Sequence, residues 1–386
     1  MAYVKKSGKL DKDLPASGAG SFDYSDLGEF RTQLKKEFGN SAALEDDDFV
    51  TDFLPTKIEP LDYLLGGGIP QGKVTEIVGL EGVGKSSFGI YMLGQIQKQG
   101  GLGVLIDTES GAGDRFRFEN FGVDTSKCIV SVEDLAEKAF MQIERVANYI
   151  SKKNVKAPSL LVLDSIAGLT TRAEQEADMD QQQFAVTARM IKRGLQRTKM
   201  VCRETNLAVL CINQARIKMG GMVNAYTGPE YTSPGGDTLK YLAITRLFLT
   251  RGSMLGEPKK PEGHVVKAKI IKCKTAASLG RTLPLRFYYD SRGYDSDLST
   301  YDVLNDAGAF GGAKSAWKTM IMPDGTEKKW NSANSFLEVM NGSPENRAHF
   351  SSMMKKCFIE QHNFVTRSED NEEPFPQISE QLPSED

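Results

Sequence analysis

Three features that define common protein classes are scarce in this chain. Its five cysteines are odd in number and none forms a Cys-x-x-Cys pair, which argues against a disulfide framework and against a zinc or redox site. Its three histidines are scattered, so a histidine-based catalytic or metal centre is not expected. No apolar run approaches the roughly 18–20 residues of a membrane helix, and Met1 to Lys12 lack the apolar segment of a secretion signal. These absences predict a cytoplasmic protein with reduced thiols.

A strong basic excess is also missing. The formal net charge is -3 over 386 residues, so any binding of nucleic acid has to come from a local basic surface. Hydrophobic residues make up 40% of the chain and charged residues 26%, which is typical of a folded globular protein. The length allows one large α/β domain with a smaller domain appended to it.

The region 51–296 alternates apolar runs of strand length with amphipathic stretches. This pattern predicts an α/β fold in which a mainly parallel sheet is flanked by helices. The predicted strands are Val74–Gly79, Gly103–Asp107, Leu160–Asp164 and Leu207–Asn213, and the predicted helices are Lys85–Gln99, Glu133–Lys152 and Phe184–Glu204. Later strands near 242–251, 264–273 and 283–289 have no long helices between them, which predicts an antiparallel or mixed edge.

Three other regions flank this core. Residues 1–50 form a polar arm with a helical pattern at Tyr24–Phe38, whose apolar face suits either packing on its own domain or docking on a neighbouring subunit. Residues 297–365 predict a small α+β domain with a hairpin at Pro323-Asp-Gly. Residues 366–386 are acidic and contain proline, as in a disordered tail.

The strongest motif is Gly79-Leu-Glu-Gly-Val-Gly84-Lys85-Ser86. It matches the P-loop pattern and lies between an apolar strand and a helix, so we expect it to bind ATP or GTP. Backbone N–H groups and the helix N-terminus would hold the phosphates. The expected contacts are Gly79, Leu80, Glu81, Gly82, Val83, Gly84, Lys85, Ser86 and Ser87, with Lys85 at the β- and γ-phosphates and Ser86 as a ligand of Mg²⁺.

Acidic residues at strand ends complete this predicted site. Asp164 ends an apolar strand, the position from which a carboxylate reaches Mg²⁺. Asp107 and Glu109 follow another strand, and a carboxylate there would orient and deprotonate the attacking water. The pattern alone leaves open which of the two acts.

The motifs taken together resemble the RecA family of ATP-dependent DNA strand-exchange recombinases, from about residue 55 to about residue 355. The resemblance continues well beyond the P-loop. It rests on Pro60–Gly72, Asp164–Thr170, Arg172–Glu174, Ala188–Met190, Ile212–Lys218, Gly235–Lys240, Lys272–Ala277 and Ala307–Phe310.

The resemblance implies roles for several residues. Glu109 would be the carboxylate that activates water, and Gln214 would sense the γ-phosphate. Lys272 and Lys274 would reach the γ-phosphate of the neighbouring subunit, and Asp114 would lie beside the adenine. From spacing alone, two lysines in a Lys-x-Lys strand are more often simply solvated.

The resemblance also implies that the irregular segments 170–183 and 215–236 bind DNA. The residues implied are Arg189, Lys192, Arg216, Ile217, Lys218, Met219, Gly235 and Gly236. Met219 would separate stacked bases, although Tyr226 or Tyr231 could stack instead. Expected partners are single-stranded DNA, a homologous duplex and further copies of the chain in a helical filament. Single-strand-binding and loading proteins remain open, and no membrane partner is expected.

Three other classes of P-loop protein fit these motifs less well. A helicase-type motor with the same fold should bring an arginine finger and a larger N-terminal domain. A mediator that binds ATP without hydrolysing it should lack Glu109 or a Walker motif, and all are present. A small-molecule phosphotransferase would leave the glycine-rich 215–236 segment unexplained.

Overall fold

The computed structural model describes residues 27–38, 51–111, 115–177, 184–217, 231–232, 237–275, 280–312 and 316–360. Contacts divide the chain into two units, residues 51–364 and residues 1–50 with 365–386. In the latter, helix α1 (Leu27–Phe38) agrees with the predicted helix. The rest of the N-terminal arm and the acidic tail lie outside the described residues.

The larger unit contains the remaining helices and all the described strands. The helices are α2 (Glu59–Leu65), α3 (Lys85–Lys98), α4 (Arg115–Asn120), α5 (Ala136–Lys153), α6 (Arg172–Glu176), α7 (Phe184–Thr205), α8 (Asp237–Leu242), α9 (Ser296–Asp306), α10 (Ala333–Met340) and α11 (Pro344–Glu360). The strands are β1 (Phe53–Leu54), β2 (Ile69–Pro70), β3 (Val74–Gly79), β4 (Leu102–Asp107), β5 (Cys128–Val132), β6 (Ser159–Asp164), β7 (Ala208–Gln214), β8 (Arg216–Ile217), β9 (Tyr231–Thr232), β10 (Thr245–Glu257), β11 (Lys260–Cys273), β12 (Thr282–Tyr288), β13 (Tyr294–Asp295), β14 (Lys318–Ile321) and β15 (Glu327–Trp330).

Among the described strands, nine form one sheet in the order β13-β12-β11-β10-β3-β7-β6-β4-β5. The strands from β10 to β5 are all parallel to their neighbours. Strands β11, β12 and β13 add to β10 in antiparallel pairs. The predicted parallel core with an antiparallel edge is therefore confirmed.

Two hydrophobic clusters cover the faces of this sheet. One contains helix α3 and side chains of β3, β6 and β7 such as Ile77, Val162 and Ile212. The other contains α5 and α7, with Phe140, Ile143 and Leu195 buried against the opposite face. Strands β6 and β7 are nearly continuous apolar runs because helices cover both of their faces. Within the described part of the chain, no helix is both long and apolar enough to cross a membrane.

The base of the long 215–236 segment is ordered by a short ladder. Strands β8 and β9 pair in antiparallel register, with Arg216 opposite Thr232 and Ile217 opposite Tyr231. Strand β8 follows β7 after a single residue, Ala215, whose N–H donates to the carbonyl of Gly79 over 2.9 Å. The first residues of this segment are thus attached directly to the first residue of the P-loop.

Candidate nucleotide-binding site

The carboxyl ends of four parallel strands meet at one edge of the sheet. In register, Gly79 lies opposite Gln214, and Asp164 lies opposite both Ile212 and Asp107. Ligands of open α/β sheets bind outside the carboxyl ends of the strands. The predicted nucleotide and metal residues are therefore brought together here by the topology.

The P-loop joins the end of β3 to the start of α3 through glycines with positive φ. Gly82 has φ 69° and Gly84 has φ 98°, a conformation that other residues adopt only with strain. Gly84 precedes the first residue of α3, so the N-terminus of that helix faces the loop. Lys85 is 8% exposed, and its Nζ donates to the carbonyl of Leu80 over 2.8 Å. The Lys85 ammonium therefore lies against the same loop that is expected to bind the phosphates.

The Lys85 ammonium lies in an acidic setting. Burial lowers the pKa of Lys85, whereas Asp164, Glu109 and Glu81 raise it. Asp164 is 7% exposed, and burial raises its pKa, with Glu109 and Asp107 adding to the rise and the Ser86 hydroxyl opposing it through a hydrogen bond. A buried carboxylate beside two others is a place where a cation would be stabilised. The Ser86 hydroxyl and the Asp164 carboxylate are both hard oxygen donors, the type that fits Mg²⁺.

Glu109 lies just beyond the end of β4 and is fixed from two sides. The Ser165 hydroxyl donates to Glu109 Oε1 over 2.5 Å, and Gln214 Nε2 donates to the same oxygen over 3.0 Å. The neighbouring Asp107 accepts a bond from the backbone N–H of Glu109 at 3.0 Å. Asp107 is buried and Glu109 is exposed to the cleft, so the geometry favours Glu109 as the carboxylate that meets substrate.

A buried polar network supports Gln214 from behind. The Asn213 Oδ1 accepts from the backbone N–H of Gln214 over 3.0 Å, and Asn213 Nδ2 donates to Glu76 Oε1 over 2.9 Å. The second oxygen of Glu76 forms an ion pair with Arg246. Glu76 is fully buried and Arg246 is 9% exposed. Three adjacent strands, β7, β3 and β10, are thereby tied together directly behind the cleft.

Of the two predicted lysines, Lys272 lies near the end of β11, where it pairs with β10, and Lys274 follows the last residue of that strand. Lys272 lies opposite Arg246, and its Nζ donates to the carbonyls of Lys240 and Tyr241, at 2.5 and 2.9 Å. Both carbonyls belong to α8, so the ammonium lies where a helix C-terminus attracts positive charge. Burial lowers the pKa of Lys272, and Lys274 and Arg246 lower it further. Neither lysine lines the cavity that contains the P-loop.

The cavity at the P-loop extends to an aromatic side that sequence reasoning missed. Its volume is about 580 Å³. Beyond the phosphate side it is lined by Phe116, Arg117, Asn120, Phe121, His264, Phe287 and Tyr289. Phe116 is 66% exposed and Tyr289 is 46% exposed. The sequence gives little signal for these residues, because they come from two distant regions, α4 with the residue after it and strands β11 and β12 with the residue after β12, and no motif joins them.

The remaining predicted residues are divided between described and undescribed parts of the chain. Arg189 and Lys192 are exposed on α7, and Arg216 is exposed on β8. Ile217 pairs with Tyr231 through its backbone. Asp114, Lys218, Met219, Gly235 and Gly236 lie outside the described residues.

Comparison with known proteins identifies similar chains. Residues 27–292 match the family model of the RecA N-terminal domain. Protein RecA of Nautilia profundicola is 36% identical over 248 residues, which cover 63% of this chain and 68% of that protein. Protein RecA of Thermus aquaticus is 35% identical over 280 residues, which cover 71% of this chain and 78% of that protein. Protein RecA of Campylobacter jejuni is 32% identical over 298 residues, which cover 76% of this chain and 84% of that protein.

Proposed function

The chain belongs to the RecA family and is a RecA-like recombinase, and on that premise we propose how its residues bind ATP, hydrolyse it and couple hydrolysis to DNA. RecA-family proteins are DNA-dependent ATPases that bind DNA and assemble into filaments. The observation that carries the proposal is the convergence of the P-loop, Asp164, Glu109 and Gln214 at one edge of the sheet.

ATP would lie along the cavity with its phosphates at the P-loop and its base at the aromatic side. Lys85 would exchange the Leu80 carbonyl for the β- and γ-phosphates. Ser86 and Asp164 would hold Mg²⁺, which neutralises charge on the phosphates. Tyr289 and Phe116 are aromatic and partly exposed toward the cavity, so they suit stacking on the base.

Glu109 would orient the attacking water and accept its proton. Ser165 and Gln214 both donate to Oε1 of Glu109, which would aim the other oxygen, Oε2, at the water. A positioned general base contributes about 10²- to 10⁴-fold to a rate.

Gln214 would transmit the state of the nucleotide to DNA. Its Nε2 holds Glu109 in the structure, and it lies two residues before Arg216 in the predicted DNA-binding segment. A γ-phosphate would offer Nε2 a more strongly charged acceptor, and the resulting shift would pass along β7 into β8. In other nucleotide-binding proteins, a segment becomes ordered when it contacts the γ-phosphate and loses that order after hydrolysis, which switches its activity.

DNA would meet the exposed basic side chains of α7 and β8. Arg189 and Lys192 lie about one helical turn apart on α7 and are both exposed, so they can contact phosphates on one strand. Arg216 adds a third cation at the base of the 215–236 segment. Phosphate contacts of this kind should make DNA binding weaken as salt rises.

Lys272 and Lys274 would act across a subunit interface. Neither lines the cavity of its own subunit, yet Lys272 is held by two carbonyls of α8 and so is already positioned. Cations supplied by a neighbour would stabilise charge on the γ-phosphate during hydrolysis, as an arginine finger does. Hydrolysis would then require an assembled filament.

The test is ATP hydrolysis with and without single-stranded DNA in the intact protein. We expect DNA to stimulate the wild type strongly. Glu109→Gln should lower the stimulated rate at least 100-fold while ATP binding persists, because the amide cannot accept a proton. Lys272→Ala should also lose stimulation.

Lys267→Ala is the matched control for the lysine variant. Lys267 is exposed on the same strand, so its loss should leave stimulation unchanged. If DNA at saturation still stimulated ATP hydrolysis fully in Lys272→Ala, the proposal that Lys272 acts on the nucleotide of a neighbouring subunit would be rejected. Rapid hydrolysis by Glu109→Gln would reject Glu109 as the base.

A further inference from the structure

A buried histidine connects the aromatic side of the cavity to the P-loop. His264 lies on β11 and is 1% exposed. Its Nδ1 is 3.0 Å from the phenol oxygen of Tyr289, and its Nε2 is 3.4 Å from the carbonyl oxygen of Val83. Val83 belongs to the P-loop, and Tyr289 belongs to the aromatic side. One imidazole therefore bridges the two halves of the pocket.

The partners of His264 fix the position of its proton. A carbonyl oxygen can only accept, so Nε2 carries the hydrogen that faces Val83. In the neutral ring Nδ1 is then an acceptor, and the Tyr289 hydroxyl donates to it. The Tyr289 oxygen in turn accepts from Arg251 Nη2 over 2.7 Å. Each group in this chain of hydrogen bonds therefore donates to the next, from Arg251 to Tyr289, from Tyr289 to His264 and from His264 to the Val83 carbonyl.

The surroundings favour the neutral form of this ring and hold it in place. Burial lowers the pKa of His264, as does the positive charge of Arg251, while the bond to Val83 acts in the opposite direction. The ring packs edge-on against Phe287, with centroids 5.4 Å apart. Phe287 also packs on Tyr294 at 4.8 Å, and the Tyr294 hydroxyl donates to the carbonyl of Gly84 over 3.2 Å.

Two successive P-loop carbonyls are thus held from the aromatic side, Val83 by His264 and Gly84 by Tyr294. Holding each carbonyl fixes the orientation of the peptide plane to which it belongs. The peptide N–H groups of Gly84 and Lys85 belong to those planes, and they would face the phosphates of a bound nucleotide. The Tyr289 ring, at the other end of the connection, is placed by its bonds to His264 and Arg251.

We infer that His264 is a positioning residue that couples the aromatic side of the pocket to the P-loop, so that seating of the base and seating of the phosphates assist each other. This inference rests on the proposed nucleotide site. Its specific consequence is that the Tyr289 hydroxyl influences phosphate binding, although Tyr289 itself faces the base.

The first test is the affinity for inorganic tripolyphosphate, a ligand without a base, measured as displacement of a fluorescent ADP analogue. Tyr289→Phe keeps the ring and removes only the hydroxyl. We expect it to weaken tripolyphosphate binding about threefold, because the connection to Val83 loses one hydrogen bond. An unchanged tripolyphosphate affinity would overturn the coupling.

The second test compares His264→Phe with His264→Gln. Phenylalanine keeps an aromatic ring among Phe287 and Tyr294 but loses both bonds, so we expect the KM for ATP to rise about tenfold. The kcat at saturating ATP and DNA should change less than threefold, since Glu109 is untouched. Glutamine places an amide N–H near Nε2 and should restore most of the KM. A glutamine variant as impaired as the phenylalanine variant would indicate a packing role alone and overturn the inference.

The third test reads the proton directly. The chain has three histidines, so ¹⁵N spectra of histidine-labelled protein are simple, and His264→Gln assigns the signal. We expect a neutral His264 with its proton on Nε2, and a shift of the Nδ1 resonance in Tyr289→Phe. A proton on Nδ1 would overturn the order of donors. His349→Phe, on α11, is the control for the labelling and for stability.

Failure of the inference and failure of the proposed function give different results. If the wild type does not bind the ADP analogue, the nucleotide site itself is wrong. If the wild type binds and Tyr289→Phe and His264→Phe bind tripolyphosphate and ATP equally well, only the coupling through His264 is wrong. Thermal unfolding of each variant establishes that the fold is retained.

Discussion

At the scale of single residues, Glu76 and Arg246 form a buried ion pair directly behind the site. Glu76 is fully buried, and its carboxylate binds Arg246 with one oxygen and Asn213 with the other. A buried charge is tolerated only when it is paired and hydrogen-bonded. Because Asn213 also holds the backbone of Gln214, the ion pair restrains a residue that would sense the γ-phosphate.

Removing the cation alone should therefore destabilise the protein strongly. Arg246→Met leaves the Glu76 carboxylate buried without its counter-ion, and we expect the free energy of unfolding to fall by about 3–5 kcal/mol. The measurement is urea denaturation near neutral pH. In the double variant with Glu76→Gln no charge remains, so a large part of the loss should be recovered. If the double variant were less stable than Arg246→Met, the unpaired charge of Glu76 could not be the cause of the lost stability.

At the scale of elements, the turn before α2 depends on one carboxylate. Asp62 accepts from the backbone N–H of Thr56 over 2.7 Å and from that of Lys57 over 3.1 Å. Lys57 has φ 62°, so this turn requires a residue in the left-handed region. Burial raises the pKa of Asp62 to about 6, against the lowering effect of these hydrogen bonds.

Asp62 should make stability fall with rising pH. Its pKa is higher in the folded state than its ordinary value of 3.8, so the folded form holds the proton more tightly. Its contribution to stability is complete below about pH 4 and is lost as the pH passes about 6. The loss amounts to at most about 3 kcal/mol, since one pKa unit corresponds to about 1.4 kcal/mol.

Denaturation of wild type and Asp62→Asn across this pH range measures the effect. The stability of the wild type relative to the variant should decline from about pH 4 to about pH 6.5, because asparagine does not titrate. Asp324→Asn is the control. Hydrogen bonds from Thr326 lower the pKa of Asp324, so its removal cannot produce the same slope. Parallel curves for wild type and Asp62→Asn would contradict the raised pKa.

The sequence predicted the central elements well because they are apolar on both faces or strongly amphipathic. Strand β3 was predicted with its observed bounds, and α7 differs by one residue at its end. The P-loop and the strand-end acids follow local motifs, so their convergence follows once the strands are parallel. These are properties of contiguous residues, which a sequence displays directly.

Two kinds of feature could not be predicted. Strand β5 was missed because it is short and half-exposed at the sheet edge, so its apolar residues show no regular pattern. The bridge formed by His264 joins Val83 and Tyr289, which are far from it along the chain, and a lone histidine carries no motif. The sequence predicts no catalytic or metal centre built on histidine, and it gives no signal for a positioning role of His264, whose location depends on the pairing of β11 with β10 and β12.

At the scale of the whole molecule, one hydrophobic cluster extends from the sheet into the C-terminal region. It includes Ile77 and Phe88 beside the P-loop, and Phe310, Trp330 and Phe350 after α9 begins. Tyr63 on α2 also stacks on Phe358 of α11, with ring centroids 5.6 Å apart. The small C-terminal domain predicted from residue 297 stays a prediction, but its side chains share a continuous core with the ATPase region.

Assembly of many copies would use the edge of the sheet at β5. This strand pairs with β4 on one side, and among the described strands none pairs with its other side. Ile129, Val130 and Val132 are 52%, 41% and 59% exposed. An exposed apolar edge strand is a template for pairing with another chain. We therefore expect β5 to receive a segment of the neighbouring copy in the filament.

Charges on this edge should prevent assembly without affecting the fold. For the double variant Ile129→Lys and Val132→Lys, we expect electron microscopy on single-stranded DNA to show short or absent filaments, because two ammonium groups would have to lose water at the interface. ATP binding should persist, and DNA-stimulated hydrolysis should fall with filament length if Lys272 acts across subunits. Met141→Lys, at a position on α5 that is 49% exposed, is the control. Normal filaments in the double variant would assign assembly to another surface, and a monomer that kept full stimulation would separate hydrolysis from assembly.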